Sequence, residues 1–122
     1  MESSPTILDG VDFVGSSDAA RVYAFDVRAG RRLWDADVFG WARGQPAVAN
    51  DRVYVSTSSR KGYLATHRAG VFALDRRTGR AAWRYEAAAP ESCVFGFPGS
   101  PAVGAGLVFT GGLDGKLFAF PQ

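Results

Sequence analysis

An all-β protein built from a repeated four-stranded unit is what this sequence predicts, on three observations. Its apolar runs are roughly five residues long, rich in Val, Phe and Tyr and bounded by Gly, Asp, Asn or Pro, the punctuation of short strands. No stretch carries the apolar stripe of an amphipathic helix. Two blocks of sequence also recur along the chain, the mark of a repeat architecture. The 122 residues, 47% hydrophobic and 13% aromatic, amount to one domain with a real core and are too apolar for disorder.

The first block, Ala24 to Trp34, returns as Ala73 to Trp83, with Ala24, Asp26, Gly30 and Trp34 matched at one common offset by Ala73, Asp75, Gly79 and Trp83. The second block, Ser4 to Val14, returns as Gln45 to Val55 and again as Ser100 to Thr110. The spacing between copies differs, so the units share a skeleton and vary in their loops. We place them at residues 4–38, 46–87 and 100–120, within one domain spanning residues 1–122.

Each unit reads as four strands in order. Strand A is Pro5 to Leu8, Pro46 to Ala49 and Ser100 to Val103. Strand B follows at Val11 to Gly15, Arg52 to Ser56 and Leu107 to Thr110. Strand C is Arg21 to Asp26, Gly70 to Asp75 and Lys116 to Phe120, and strand D is Arg31 to Val38 and Arg80 to Ala87. The third unit has no strand D in this sequence, so the expected count is eleven. Between C and D, Asp26 and Asp75 are placed to accept backbone N–H groups of a turn while Gly30 and Gly79 take positive φ. Asp114-Gly115 suits a tight turn between B and C of the third unit.

A four-stranded unit of about 40 to 50 residues with a periodic Gly and aromatic signature describes a β-propeller blade. The pattern Ala-x-Asp-x-x-Thr-Gly-x-x-x-Trp resembles the repeat of pyrroloquinoline-quinone (PQQ) propellers, the family that includes the propeller lipoprotein of outer-membrane barrel assembly. Ala73, Asp75, Thr78, Gly79 and Trp83 match at every named position, Ala29 replaces the Thr in the first unit, and only Ala119 survives in the third. The resemblance runs from Ser4 to Phe120. It implies that Trp34 and Trp83 pack against the Ala and Gly region of a neighbouring blade. WD-repeat propellers fit less well: Trp34-Asp35 matches their dipeptide, but the second unit has Trp83-Arg84 and no Gly-His dipeptide occurs.

Several chemistries find no support. Fourteen cations against twelve anions leave +2, too balanced for a nucleic-acid footprint. No apolar run approaches the ~18 residues of a membrane-spanning helix. One Cys, Cys93, excludes an internal disulfide, and one His, His67, lies in an expected loop without a triad or zinc partner. Asp9, Asp51 and Asp114 fall at turns. Resemblance implies that quinoprotein dehydrogenases use a Ca²⁺ site of Glu and Asn side chains, a catalytic Asp and often adjacent cysteines. This chain offers Glu2, Glu86 and Glu91, Asn50 in an apparent turn, and Cys93 alone. No catalysis, cofactor or metal is therefore expected, PQQ and Ca²⁺ entering only if the chain belongs to such a dehydrogenase. The N-terminus lacks the pattern of a secretory signal, which leaves the cytoplasm as the default for the chain as written, whereas a longer parent with an export signal would lie outside it.

Three blades cannot close a propeller, and their end faces expose apolar surface. We expect the C-terminal arc of a larger propeller, completed by further blades; copies assembling into a homo-oligomeric ring is the competing expectation. Strand parity puts the B–C and D–A connections on one face, where the loops vary in length. There Trp41, Arg43, Arg60, Tyr63, Phe95 and Phe97 make a candidate protein-binding patch of aromatic and Arg type, the equal alternative being that the aromatics plug the funnel between blades, while Arg60, Lys61 and Arg68 also read as a solvated charge cluster. The expected role is a scaffold or sensor surface.

Overall fold

The hairpin turns form where side-chain chemistry directs them. In the computed structural model, which describes residues 3–60, 68–87 and 94–122, Asp26 Oδ1 accepts from the backbone N–H of Arg28 (2.9 Å) and Ala29 (3.2 Å). Asp75 Oδ1 accepts likewise from Arg77 (2.8 Å) and Thr78 (3.1 Å). The N–H groups of Gly30 and Gly79 close back on the carbonyls of Asp26 and Asp75, each at 2.8 Å. Both glycines sit at positive φ, 66° and 78°, where a Cβ would be strained.

These turns join the outer strands of two four-stranded antiparallel sheets. The first sheet runs in order β1 (Thr6–Leu8), β2 (Val11–Ser16), β3 (Arg21–Asp26), β4 (Arg32–Asp37). The second sheet is β5 (Ala47–Ala49), β6 (Arg52–Ser56), β8 (Gly70–Asp75) and β9 (Ala81–Glu86), with β7 (Ser58–Arg60) emerging from the loop between β6 and β8. A third sheet, β11 (Ala102–Gly104), β12 (Leu107–Gly111) and β13 (Leu117–Pro121), has three strands. In both complete sheets the C–D register shifts at the same place, between Ala24 and Phe25 and between Ala73 and Leu74. No helix occurs among the described residues.

The architecture is an all-β propeller arc of three blades, the last without its outer strand. Thirteen strands are present among the described residues rather than the expected eleven. The extra pair is β7 and β10 (Val94–Gly96), which form a two-stranded antiparallel ribbon from segments expected to be plain loop. The loops find each other because each leaves its blade on the same face, and pairing satisfies backbone groups that burial would otherwise orphan.

Alternation along the strands sorts the side chains into layers. Thr6, Phe13, Ala24 and Trp34 stand in register on one side of the first sheet, and Val48, Val53 and Leu74 on the facing side of the second. Together with Val22, Val55 and Phe72 they make the larger core, where Phe13, Val22, Ala24 and Val53 are fully buried. The other side of the second sheet, Ala47, Tyr54, Ala73 and Trp83, packs on Val103, Val108 and Phe120 of the third. The A strands lie innermost, β1 beside β5 and β5 beside β11, tied by Thr6 Oγ1 donating to the Pro46 carbonyl (2.6 Å) and Gln45 N–H donating to Ser100 Oγ (2.8 Å).

Trp34 is buried in the core between the first two blades. Its ring lies over Gly79 of the next blade, where an added Cβ would sit 2.5 Å from Cε3. The alanine of the motif has a different place from the one expected: Ala24 faces Trp34 across strands of the same sheet, where its small side chain leaves room for the indole. Trp83 is only half-buried, against Tyr54 (6.2 Å between ring centroids) and Phe120 (5.6 Å).

Candidate functional site

The loop face is organised by the β7–β10 ribbon. Ser58 is its hub: it pairs with Gly96 in the ribbon and forms a bridge to Trp41, the Trp41 N–H donating to the Ser58 carbonyl (2.7 Å) and the Ser58 N–H to the Trp41 carbonyl (3.2 Å). The ribbon is fastened to the blades by the Phe97 N–H donating to the Thr57 carbonyl (2.9 Å) and the Leu113 N–H donating to the Gly96 carbonyl (3.0 Å). Gly96 is required at this crossing, since at φ 97° an added Cβ would lie 2.5 Å from that of Ala69 and 2.7 Å from the Thr57 carbonyl oxygen.

The six patch residues divide into distinct environments. Trp41 is half-buried with the Arg43 guanidinium 4.7 Å from its ring centroid, a cation–π arrangement on the outer surface. Arg60, opposite Val94 at the ribbon's end, is exposed. Phe95 and Phe97 are buried, 5% and 1% exposed, and so plug the space between blades. Phe97 meets Phe118 edge-on at 5.0 Å and Tyr85 at 6.2 Å. Tyr63 lies outside the described residues, as do Lys61, His67 and Cys93.

Arg68 departs from the expected solvated cluster. Its guanidinium sits 4.0 Å from the Phe39 ring centroid and pairs with Glu86 on the outer strand β9. Sequence reasoning also missed the cavity beside the ribbon, about 460 Å³, walled by Tyr85, Phe95, Phe97 and Phe118 with Asp114 and Lys116 from the turn before β13. Its aromatics come from three separate segments that no local sequence pattern links.

Of the donors that a quinoprotein Ca²⁺ site would draw on, Glu86 and Asn50 lie among the described residues and Glu2, Glu91 and Cys93 lie outside them. Glu86 is engaged by Arg68. Asn50 sits in the A–B turn at φ 55° with its carbonyl accepting from Arg76. Among the described residues no three His, Cys, Asp or Glu side chains converge as metal ligands.

The family model for outer membrane protein assembly factor BamB matches residues 2–121. The chain belongs to this PQQ-type propeller family. A curated relative, 1-butanol dehydrogenase (cytochrome c) of Thauera butanivorans, is 30% identical over 115 residues, covering 91% of this chain and 16% of the relative. Among solved structures, BamB from Moraxella catarrhalis superposes with a TM-score of 0.73 at 23% identity, over 98% of this chain and 34% of that one. Quinohemoprotein alcohol dehydrogenase from Comamonas testosteroni gives a TM-score of 0.68 at 27% identity, over 91% of this chain and 17% of that one. The chain therefore spans about a third of the BamB chain and under a fifth of either dehydrogenase. No helix among the described residues is long and apolar enough to cross a membrane.

Proposed function

We propose that this chain is an arc of a larger, non-catalytic PQQ-type propeller whose loop face is a protein-interaction scaffold or sensor surface. The observation that carries the reading is the β7–β10 ribbon with Trp41, Arg43 and Arg60 on its outer side: a rigid backbone platform presenting an aromatic ring and guanidinium groups, the residue types enriched where proteins dock. Its partners are the remaining blades of the ring and a protein docked on this platform.

A second reading, part of a PQQ-dependent dehydrogenase, is favoured by the 30% identity to 1-butanol dehydrogenase (cytochrome c). Incubation of the purified chain with PQQ and Ca²⁺, followed by desalting, separates the two. The scaffold reading expects no retained near-ultraviolet or visible quinone absorbance and no Ca²⁺-dependent gain in melting temperature; stoichiometric retained quinone would overturn it. Sedimentation of the chain alone tests the arc: a discrete closed oligomer with one cooperative melt would replace it with self-assembly.

A further inference from the structure

The three sheets carry corresponding positions, and at one of them the first sheet breaks the pattern. Val48, Val53 and Leu74 stand in register on the side of the second sheet that faces the first, and Val103, Val108 and Phe120 on the side of the third that faces the second. The counterparts in the first sheet are Ile7, Asp12 and Phe25. Val53 and Val108 are fully buried by the preceding blade. Asp12 puts a carboxylate in their place, and its Oδ1, already shielded from solvent, has no hydrogen-bond partner among the described residues. Burial pushes its carboxyl pKa above the ordinary value.

The same side of the first sheet ends in a vacant indole seat. In the second sheet Gly79 lies under the Trp34 ring, and the Arg76 carbonyl accepts the Trp34 N–H at 2.9 Å. Gly30 likewise has a positive φ, with Val27 as the counterpart of Arg76, yet none of the described residues stands within 4 Å of where its Cβ would be. Ile7 is 61% exposed on this side, and Tyr23 and Phe25 stack at 5.9 Å and are half-buried. The nearby cations Arg21 and Arg32 are both committed to Asp35.

We propose that this open side docks a further blade of the same repeat, lying ahead of residue 3 in a longer polypeptide, which seats a tryptophan on Gly30 and sets a cationic side chain against Asp12. The Trp34–Gly79 contact shows how such a seat is filled, and the chain's own third blade cannot fill it: the outer side of that sheet carries Ala102, Phe109 and Ala119 and no tryptophan. A second copy of these residues would therefore bring no indole to the seat. The cation follows from chemistry, because covering Asp12 with the apolar surface that suits Val53 would bury an unpaired carboxylate, whereas an opposed charge with hydrogen bonds offsets its desolvation. The repeat pattern alone would call for a valine there; Asp12 makes this junction selective for one blade over others.

The inference rests on the arc reading, and one set of proteins tests both separately. A copy of residues 46–99 is placed ahead of Ser4 of the full chain, so that the copied Trp83 meets Gly30, and denaturation equilibria are compared with those of the original chain. Gly30→Val is expected to weaken folding of the extended protein at least tenfold more than that of the original; equal effects would overturn the arc reading itself. Asp12→Val is expected to strengthen the extended protein at least tenfold more than the original, and equal effects would overturn the inference alone. Lysine placed in turn at the copied positions 47, 54 and 73 is expected, at one of them, to stabilise the protein carrying Asp12 at least fivefold over the one carrying Asp12→Val; no such position would overturn the cation. Should the extended protein fold only as Asp12→Val, the burial of an unpaired carboxylate is supported, and failure of both versions to fold overturns the docking. Sedimentation showing that Gly30→Val dissolves an oligomer of the original chain would assign the seat to a second copy and overturn the proposal.

Discussion

Trp34 and Arg76 are joined across the first blade junction by one hydrogen bond, the indole N–H donating to the backbone carbonyl at 2.9 Å. The side chain of the same arginine reaches the Asn50 carbonyl (3.1 Å) and pairs with Asp9 of the first blade. One residue thus receives the neighbour's indole through its backbone and grips the neighbour's A–B turn through its guanidinium.

Trp34→Ala is expected to cost about 3 to 5 kcal/mol, since it empties a buried aromatic site, while Trp34→Phe loses the hydrogen bond and part of the volume and costs less. Arg76→Ala keeps the carbonyl that Trp34 uses and removes only the partly exposed grip, so about 1 kcal/mol is expected. Urea denaturation of the three variants checks the order, and an Arg76→Ala loss equal to that of Trp34→Ala would show that the side chain, not the indole, holds the junction.

Gly79→Ala and Gly30→Ala separate packing from conformational strain. Both place a Cβ at positive φ, for about 1 to 2 kcal/mol. Only Gly79 also drives it into the Trp34 ring, which adds roughly 1 to 3 kcal/mol. A larger loss at position 79 in thermal melts is the expected outcome.

Two carboxylates give opposite pH signatures. The backbone N–H groups of Arg77 and Thr78 hold Asp75 below the ordinary carboxylate pKa of 3.8. Its contribution is complete above that value and fades as pH falls through the lowered one. Burial raises Asp12 above 3.8, so its penalty is absent below that value and is complete once pH exceeds the raised one. Stability measured from pH 2 to 7 should therefore fall less steeply on the acid side in Asp75→Asn and fall more steeply there in Asp12→Asn.

Trp41 should behave unlike Trp34. Its ring is half-buried and its contacts include a backbone bridge and the Arg43 stack, so Trp41→Ala is expected to cost less than Trp34→Ala. Combined replacement of Trp41 and Tyr63 by Ala should weaken capture of a protein partner with the melting temperature nearly unchanged. A loss comparable to that of Trp34→Ala would assign Trp41 to the core.

The blades were legible because their signals are local. Asp75 and Gly79 write a turn within five positions, and the alternation through Val53, Tyr54 and Val55 names both faces of a strand. The ribbon was not legible, because Ser58-Ser59-Arg60 lacks strand-forming side chains and is paired only through the distant Val94-Phe95-Gly96. For the same reason the sequence leaves open whether Phe95 and Phe97 dock a partner or fill the space between blades: a loop has no periodicity that tells inward from outward. Arg68 was misread because its partners, Phe39 and Glu86, meet it only once the sheets stack.

Pro121 takes in β13 the place that Asp26 and Asp75 hold in the complete blades, opposite Leu107 as they are opposite Val11 and Arg52. Those aspartates open their hairpins with a main-chain donor, used at 2.8 and 2.7 Å, and with a carboxylate that gathers the following amides. An imino acid brings neither. A hairpin opened at Pro121 would therefore lack both the main-chain donor and the carboxylate that shape the turns of the complete blades, so pairing alongside Leu117 and Ala119 would begin without an aspartate to direct it.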